Sequence, residues 1–100
     1  MVIGVPKEIM HEERRVAAIP QTVAKMVADG HTVLVQKGAG EGSYFCDDEY
    51  KAAGAVIMDD VAALFEKADV ILKVKEPQFN EDLGKHEIDL MRKGQYLITF

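Results

Sequence analysis

The sequence contains no tryptophan, a single cysteine and three prolines among its 100 residues. Because Cys46 has no second cysteine to pair with, an internal disulfide and a cysteine-rich metal site are both excluded. No apolar run approaches the roughly 20 residues that a membrane-spanning helix needs, and the N-terminus does not have the pattern of a signal peptide. These absences predict a cytoplasmic protein with no membrane partner.

The sequence has no segment in which charges of one sign are concentrated. The chain has a formal net charge of −5 and no long run of like charges, which argues against nucleic acid or an anionic membrane as its main partner. The hydrophobic share is 48%, enough for one globular domain that buries a moderate core, yet small enough that a missing partner domain could matter. A small-molecule role fits this composition best.

Short β-rich runs alternate with helical patterns along the chain, which is typical of βαβ units. The sequence therefore predicts an α/β fold with an open, doubly wound, mainly parallel sheet of about five strands. The predicted strands are Val2–Val5, Thr32–Gln36, Ala55–Met58, a run from Val70 that carries two lysines, and Gln95–Phe100.

Helices are predicted between these strands from apolar spacing and from cap residues. Pro20 opens the first helix, which ends at Ala28, and the charged stretch before Pro20 reads as a long loop. The further predicted helices are one that begins at Asp47 or Asp48 and ends at Gly54, one capped by Asp59 or Asp60 with Val61, Leu64 and Phe65 on one face, and one from Glu81 or Asp82 to Arg92 with Ile88 and Met91 inward.

The chain stops on YLITF, at the end of an apolar strand with no polar turn after it. Domain boundaries usually fall in exposed polar linkers. We therefore expect residues 1–100 to be part of a larger protein. Catalytic groups of open α/β sheets lie just past the carboxyl ends of strands, so the chemistry is expected immediately after Phe100.

The segment VILKVKEP holds the first candidate site residues. Lysine is depleted in strand interiors, and Lys73 and Lys75 would share one face if the strand reached both. They could face an anion at the ligand-binding edge of the sheet. The simpler interpretation of this segment alone is that they mark a solvated strand end.

A second cation could converge on the same edge from the loop after the first strand. Arg14 and Arg15 close that loop, and a guanidinium has the planar fork that matches a carboxylate bidentately. The alternative is ordinary surface charge paired with one of three nearby glutamates, Glu12, Glu13 or Glu76. The residues alone leave both interpretations open.

Two weaker signals predict structure and not chemistry. The loop GAGEGS lacks the third glycine of the dinucleotide fingerprint, because Ser43 stands there, and it does not open a helix that could hold pyrophosphate. It is predicted to be a turn. His11, His31 and His86 have no metal-ligand spacing and are predicted to be solvated or capping residues.

The motifs GVPKE, ERRVAAIP, KGAGEGSYF, DDEYKAAGA and ADVILKVKEP, in this order and spacing, resemble the amino-terminal portion of the alanine dehydrogenase family. The wider group includes the proton-translocating nicotinamide nucleotide transhydrogenases. The resemblance covers essentially all 100 residues. The transhydrogenase branch usually has an asparagine-alanine pair where this chain has Lys75 and Glu76, which favours the dehydrogenase branch.

The resemblance implies the N-terminal, substrate-side domain of a two-domain, homo-oligomeric (hexameric) enzyme that interconverts L-alanine and pyruvate plus ammonia with NAD. Arg15 matches the arginine that grips the substrate carboxylate, and Lys75 matches a substrate-binding lysine. The acid-base histidine would lie just beyond Phe100 and the NAD-binding Rossmann domain further downstream. The chain would then contain no catalytic and no cofactor-binding residue, and it would be inactive alone.

The sequence departs from the family pattern at two places, and two other classes of protein remain open. Arg14 adds a second cation, and the stretch between Pro77 and Gly94 is several residues longer than usual, which puts the alignment of His86 in doubt. A transhydrogenase alpha subunit would not need Arg15 for a small acid. A stand-alone binding domain would need no continuation.

Overall fold

A computed structural model describes all of residues 1–100. Its elements are β1 (Val2–Val5), α1 (Pro20–Ala28), β2 (Thr32–Gln36), α2 (Asp47–Ala52), β3 (Val56–Met58), α3 (Val61–Lys67), β4 (Val70–Lys73), β5 (Phe79–Asn80), β6 (Lys85–His86), α4 (Glu87–Leu90) and β7 (Tyr96–Thr99). None of the helices is both long and apolar enough to cross a membrane.

Five strands form one sheet in the order β3-β2-β1-β4-β7, and every pairing in it is parallel. β5 and β6 form a separate antiparallel hairpin. The chain adds strands to one side of β1 and then returns to add β4 on the other side, so the topological switch point lies between β1 and β4. The predicted α/β architecture is confirmed.

The two faces of the sheet carry two cores, because neighbouring strand residues alternate sides. On one face, α1 and α2 cover β1 and β2, and on the other α3 packs under the sheet. The first core contains Ile3, Val5, Ala18, Val23, Val33, Val35, Ala39, Tyr50 and Ala55. The second contains Leu34, Val61, Leu64, Phe65, Ala68 and Ile71.

Gly4 shows how closely α3 approaches the central strand. A Cβ atom at Gly4 would lie 2.9 Å from the Cβ of Ala68 and 2.9 Å from Cδ2 of Leu64. Only glycine leaves room for this contact. The contact brings α3 against β1 and fixes the start of β4, which follows α3 directly.

The caps confirm one prediction and correct another. Asp60 caps α3, as predicted, and its Oδ1 accepts the backbone N–H groups of Ala62 and Ala63. The residue before α2 is Cys46 and not an aspartate, since Asp47 is already helical and its Oδ1 accepts the N–H of Gly38 at 2.9 Å. Asp47 thus ties the glycine-rich loop to α2.

The predicted helix from Glu81 or Asp82 to Arg92 is wrong. The chain there forms the β5-β6 hairpin and then only four residues of helix in α4. The Oδ1 atom of Asn80 accepts the N–H of Leu83 at 3.1 Å, and Gly84 takes φ +67°, so a turn interrupts the helical pattern.

The inward faces in this segment also differ from the prediction. Ile88 is 58% exposed, while Met91 is half-buried against the α3 core. Glu87 is the buried residue of α4, because its carboxylate has partners inside the protein.

Candidate functional site

The candidate site lies beyond the carboxyl ends of β1 and β4, at the switch point where ligands of open α/β sheets bind. Two loops meet there: residues 6–19, which follow β1, and residues 74–78, which follow β4. The first loop brings Arg15 and the second brings Lys75. Both predicted substrate-binding residues therefore lie at the same edge of the sheet.

Lys73 is the last residue of β4 and is fully buried between two glutamates. Its Nζ atom lies 3.2 Å from Oε1 of Glu8 and 3.3 Å from the carboxylate of Glu87, and all three side chains are at most 2% exposed. Lys73 therefore faces anions, but these anions belong to the protein. Neither interpretation from the sequence, a ligand-facing or a solvated lysine, describes it.

The two glutamates also hold the backbone that follows Lys73. Glu8 accepts the N–H groups of Val74 at 3.0 Å and Lys75 at 3.1 Å, and Glu87 accepts the N–H of Gln78 at 2.8 Å. These charge-assisted bonds lie in the interior, where they are stronger than in water. Segment 74–78 is thus clamped at both ends.

Lys75 lies in this clamped segment and differs from Lys73 in its side chain. It is half-buried and forms no ion pair within 4.0 Å. β4 ends at Lys73, so the shared strand face expected for both lysines does not extend to Lys75. Its ammonium group is free to meet an anion from outside.

Arg15 is paired with Glu13, one of the partners that the surface-charge interpretation named. Arg15 Nε donates to Oε2 of Glu13 at 3.0 Å and Nη2 donates to Oε1 at 2.7 Å, while the Arg15 backbone N–H donates to Oε2 at 2.9 Å. These bonds lower the pKa of the Glu13 carboxyl to about 2, with a smaller contribution from the charge of Lys75. They also raise the pKa of Arg15, so both groups stay charged at neutral pH.

The glycine-rich loop seats the backbone just before Arg15. Ser43 Oγ donates to the carbonyl oxygen of Arg14 at 2.8 Å, and a Cβ atom on Gly42 would lie 2.7 Å from that same oxygen. The predicted turn is confirmed, since residues 41–43 form a single 3-10 turn. The space left by the missing side chain of Gly42 is occupied by the backbone of Arg14.

Two depressions open beside Arg15, and Lys75 lines neither of them. A small cavity of about 60 Å³ is lined by charged residues and by the glycine-rich loop, and among them are Glu8, Glu13 and Arg15. A wider groove of about 410 Å³ runs past Arg15 and is mostly apolar, with Val74 and Phe100 among its residues. A small acid with a short apolar tail would find matching chemistry here.

None of the three histidines forms a hydrogen bond or an ion pair with Arg15, Lys73 or Lys75. His11 is exposed beside Glu12, and Nδ1 of His86 accepts the N–H of Ile88 at the start of α4. These two agree with the predicted solvated and capping roles, whereas His31 has a buried Nδ1 atom without a hydrogen-bond partner. No three His, Cys, Asp or Glu side chains are grouped to hold a metal ion.

Glu8, Glu87 and the specific pairing of Glu13 with Arg15 were not predicted from the sequence. Glu8 carried a signal, since it follows β1 directly and a lysine ends β4, the strand that pairs with β1 in a doubly wound sheet. Glu13 lies two residues before Arg15, and side chains at this spacing in a loop can form an ion pair. Glu87 had no signal, because its helix was predicted with the wrong face inward.

Comparisons with known proteins give the family and the fold of this chain. The sequence model of the family described as alanine dehydrogenase/PNT, N-terminal domain, matches residues 4–100. An alanine dehydrogenase of Methanococcus maripaludis is 47% identical over the whole chain, and an NAD(P) transhydrogenase subunit alpha of Cereibacter sphaeroides is 39% identical. A solved L-alanine dehydrogenase superposes on all of the chain with a TM-score of 0.83 at 35% identity.

These matches cover all of this chain but only part of each relative. The chain spans 25% of the Methanococcus protein, 18% of the transhydrogenase subunit and 26% of the solved dehydrogenase. The likeness therefore concerns one domain-sized portion of longer proteins.

Proposed function

Since the chain belongs to the family of alanine dehydrogenase/PNT N-terminal domains, we propose that it is the substrate-side domain of an NAD-dependent alanine dehydrogenase. Such an enzyme interconverts L-alanine and pyruvate plus ammonia. We further propose that it works as a cytoplasmic homo-oligomer, a hexamer by family resemblance. The NAD-binding Rossmann domain and the acid-base histidine belong to the portion that follows Phe100, and residues 1–100 alone do not turn over alanine.

One observation carries this proposal: an exposed guanidinium and an unpaired ammonium lie on the two loops at the switch point of the sheet. Arg15 is 66% exposed although it is paired with Glu13, and Lys75 has no ion-pair partner. Cations placed at this edge attract a small anion. The carboxylate of alanine or pyruvate is an anion of that size.

The two cations have different tasks in this chemistry. Arg15 holds the substrate carboxylate through its planar fork and so fixes the orientation of the reacting carbon. Lys75, held by the bond from its own backbone N–H to Glu8, lies next to the carbonyl or amino group and stabilises charge that develops there. The apolar groove beside Arg15 accommodates the methyl group.

We propose that the glycine-rich loop of this chain does not bind NAD. The glycine-rich loop is filled by the Arg14 backbone, and it leads into a single 3-10 turn that offers no helix N-terminus to a pyrophosphate.

A transhydrogenase alpha subunit is the second candidate, favoured by the 39% identity to such a subunit. That role would not require Arg15 and Lys75 to bind a small acid. The presence of Lys75 and Glu76, where the transhydrogenase branch usually has asparagine and alanine, supports the dehydrogenase instead.

Substitutions in the full-length enzyme test the proposal. Arg15→Lys keeps the charge but loses the fork, so pyruvate binding should weaken by about 1.5–3 kcal/mol, roughly 10- to 150-fold. Lys75→Ala should lower the turnover rate as well as pyruvate binding. Steady-state kinetics with pyruvate, ammonia and NADH measure both effects.

The affinity for NAD without pyruvate serves as the control, since neither residue is proposed to contact the cofactor. Normal pyruvate kinetics in both variants would mean that Arg15 and Lys75 are ordinary surface charges and do not bind the substrate. A collapse of NAD binding in a folded variant would favour the transhydrogenase.

A further inference from the structure

Glu13 uses only one edge of the Arg15 guanidinium. A guanidinium has five N–H donors, and the bonds to Glu13 engage Nε and Nη2 on the side-on edge. Arg15 has no hydrogen bond to any residue other than Glu13. Both donors of Nη1 and the second donor of Nη2 therefore remain, and one N–H of each Nη forms the end-on edge.

The side chains of Glu13 and Arg15 differ strongly in burial. The Glu13 side chain is 7% exposed, whereas that of Arg15 is 66% exposed. Glu13 is thus the buried partner of the pair, while most of the Arg15 side chain, whose end-on edge has no partner, is exposed. Because the backbone N–H of Arg15 also donates to Glu13, a ligand that displaced Glu13 would have to break three bonds.

Glu13 also changes the charge that a ligand meets. It lines the same small cavity as three cations, Lys7, Arg14 and Arg15, and as Glu8, whose charge is already paired with Lys73. The Glu13 carboxylate therefore offsets one of the positive charges at this edge. A ligand with one carboxylate meets a net attraction, while a second negative charge on the ligand is repelled by Glu13.

We propose that Glu13 is a positioning and specificity-determining residue: it holds Arg15 by the side-on edge, presents the end-on edge to a carboxylate, and sets the site for acids of one negative charge. This inference rests on the proposed role of Arg15 in substrate binding. It adds a residue that neither touches the reacting atoms nor belongs to the predicted site.

Oxamate and oxalate are suitable probes because they have nearly the same shape and differ by one negative charge. Both are titrated into the full-length enzyme, and their dissociation constants are measured by calorimetry. Glu13→Gln should raise the affinity for oxalate relative to oxamate about three- to tenfold, as expected for a charge removed at about 6 Å in a largely solvated site. Glu12→Gln is the matched control, since Glu12 is the exposed neighbour, is not bonded to Arg15 and removes the same charge.

A second readout reports the orientation of Arg15 without any ligand. The Nε–H of Arg15 should be protected from exchange with water in the parent chain and in Glu12→Gln, and should lose this protection in Glu13→Gln. A merely structural role of Glu13 would weaken both probes equally and leave their ratio unchanged.

The outcomes separate the inference from the proposed function. If Arg15→Ala abolishes oxamate binding but Glu13→Gln leaves the oxalate-to-oxamate ratio as it is in Glu12→Gln, the inference is wrong and the role of Arg15 stands. If Glu13→Gln tightens both probes equally, Glu13 is a competitor for the ligand and the inference is again wrong. If Arg15→Ala leaves oxamate binding intact, the proposed function fails, and the inference fails with it.

Discussion

Replacement of Lys73 by methionine tests whether the buried charge cluster holds the fold together. Methionine has a similar length but no charge. Lys73→Met leaves the carboxylates of Glu8 and Glu87, each at most 2% exposed, without the cation between them. Removal of one partner of a buried ion pair costs about 3–5 kcal/mol, because the remaining charge is uncompensated.

Lys37→Met is the matched control on the surface. Lys37 lies 3.8 Å from Asp59, and both side chains are more than 60% exposed. Such an exposed pair contributes about 0–1 kcal/mol. A domain of this size has a total stability of about 5–15 kcal/mol, so the two variants should differ visibly in one experiment.

Urea unfolding of the chain, followed by circular dichroism, measures the free energy of unfolding of each variant. A triple variant with Lys73→Met, Glu8→Gln and Glu87→Gln should recover about 2 kcal/mol or more, since glutamine keeps an oxygen for the backbone N–H groups but carries no charge. If Lys73→Met costs no more than Lys37→Met, the cluster does not stabilise the fold and this reasoning is refuted.

Two further perturbations address the packing around the site. Gly42→Ala places a methyl group against the carbonyl oxygen of Arg14, so the free energy of unfolding in urea should fall by about 1–3 kcal/mol. The NMR signal of the Arg15 Nε–H should also shift, and an unchanged signal would contradict the role of the loop in positioning the backbone before Arg15. Burial raises the pKa of Tyr50 to about 12, so its protonated form stabilises the fold below pH 10, and this contribution is lost as the pH rises through 12. Tyrosinate absorbance should detect this late titration, and Tyr50→Phe should remove it while costing about 1–3 kcal/mol at neutral pH, because the carbonyl of Ala18 loses its donor.

The sequence was most informative where local signals and burial agreed. β1, α1 and β2 have the predicted bounds, because proline opens α1 and the strands are apolar runs between turn residues. The resemblance to the alanine dehydrogenase family is also confirmed. The element bounds and the family resemblance both depend on local sequence patterns, which contacts between distant parts of the chain do not change.

The segment after β4 could not be predicted from such patterns. Its charged residues have helical spacing, but Asn80 and Gly84 favour a turn and Glu87 is drawn inward by Lys73. Lys73 and Glu87 are 14 residues apart, and Glu8 is 65 residues from Lys73. A buried ion pair at such separations leaves no periodic trace in the sequence, so an inward glutamate is indistinguishable from a solvated one.

Two lysines only two residues apart illustrate why residue type alone does not assign a role. Lys73 has its charge matched by Glu8 and Glu87 and is out of reach of solvent, so it can support the site but cannot bind a ligand. Lys75 shares one of these supports through its backbone, since Glu8 accepts its N–H, while its side chain remains unpaired. The burial of the first lysine thus fixes the backbone from which the second one extends, and this coupling predicts that a loss of the cluster would disturb ligand binding even where the fold survives.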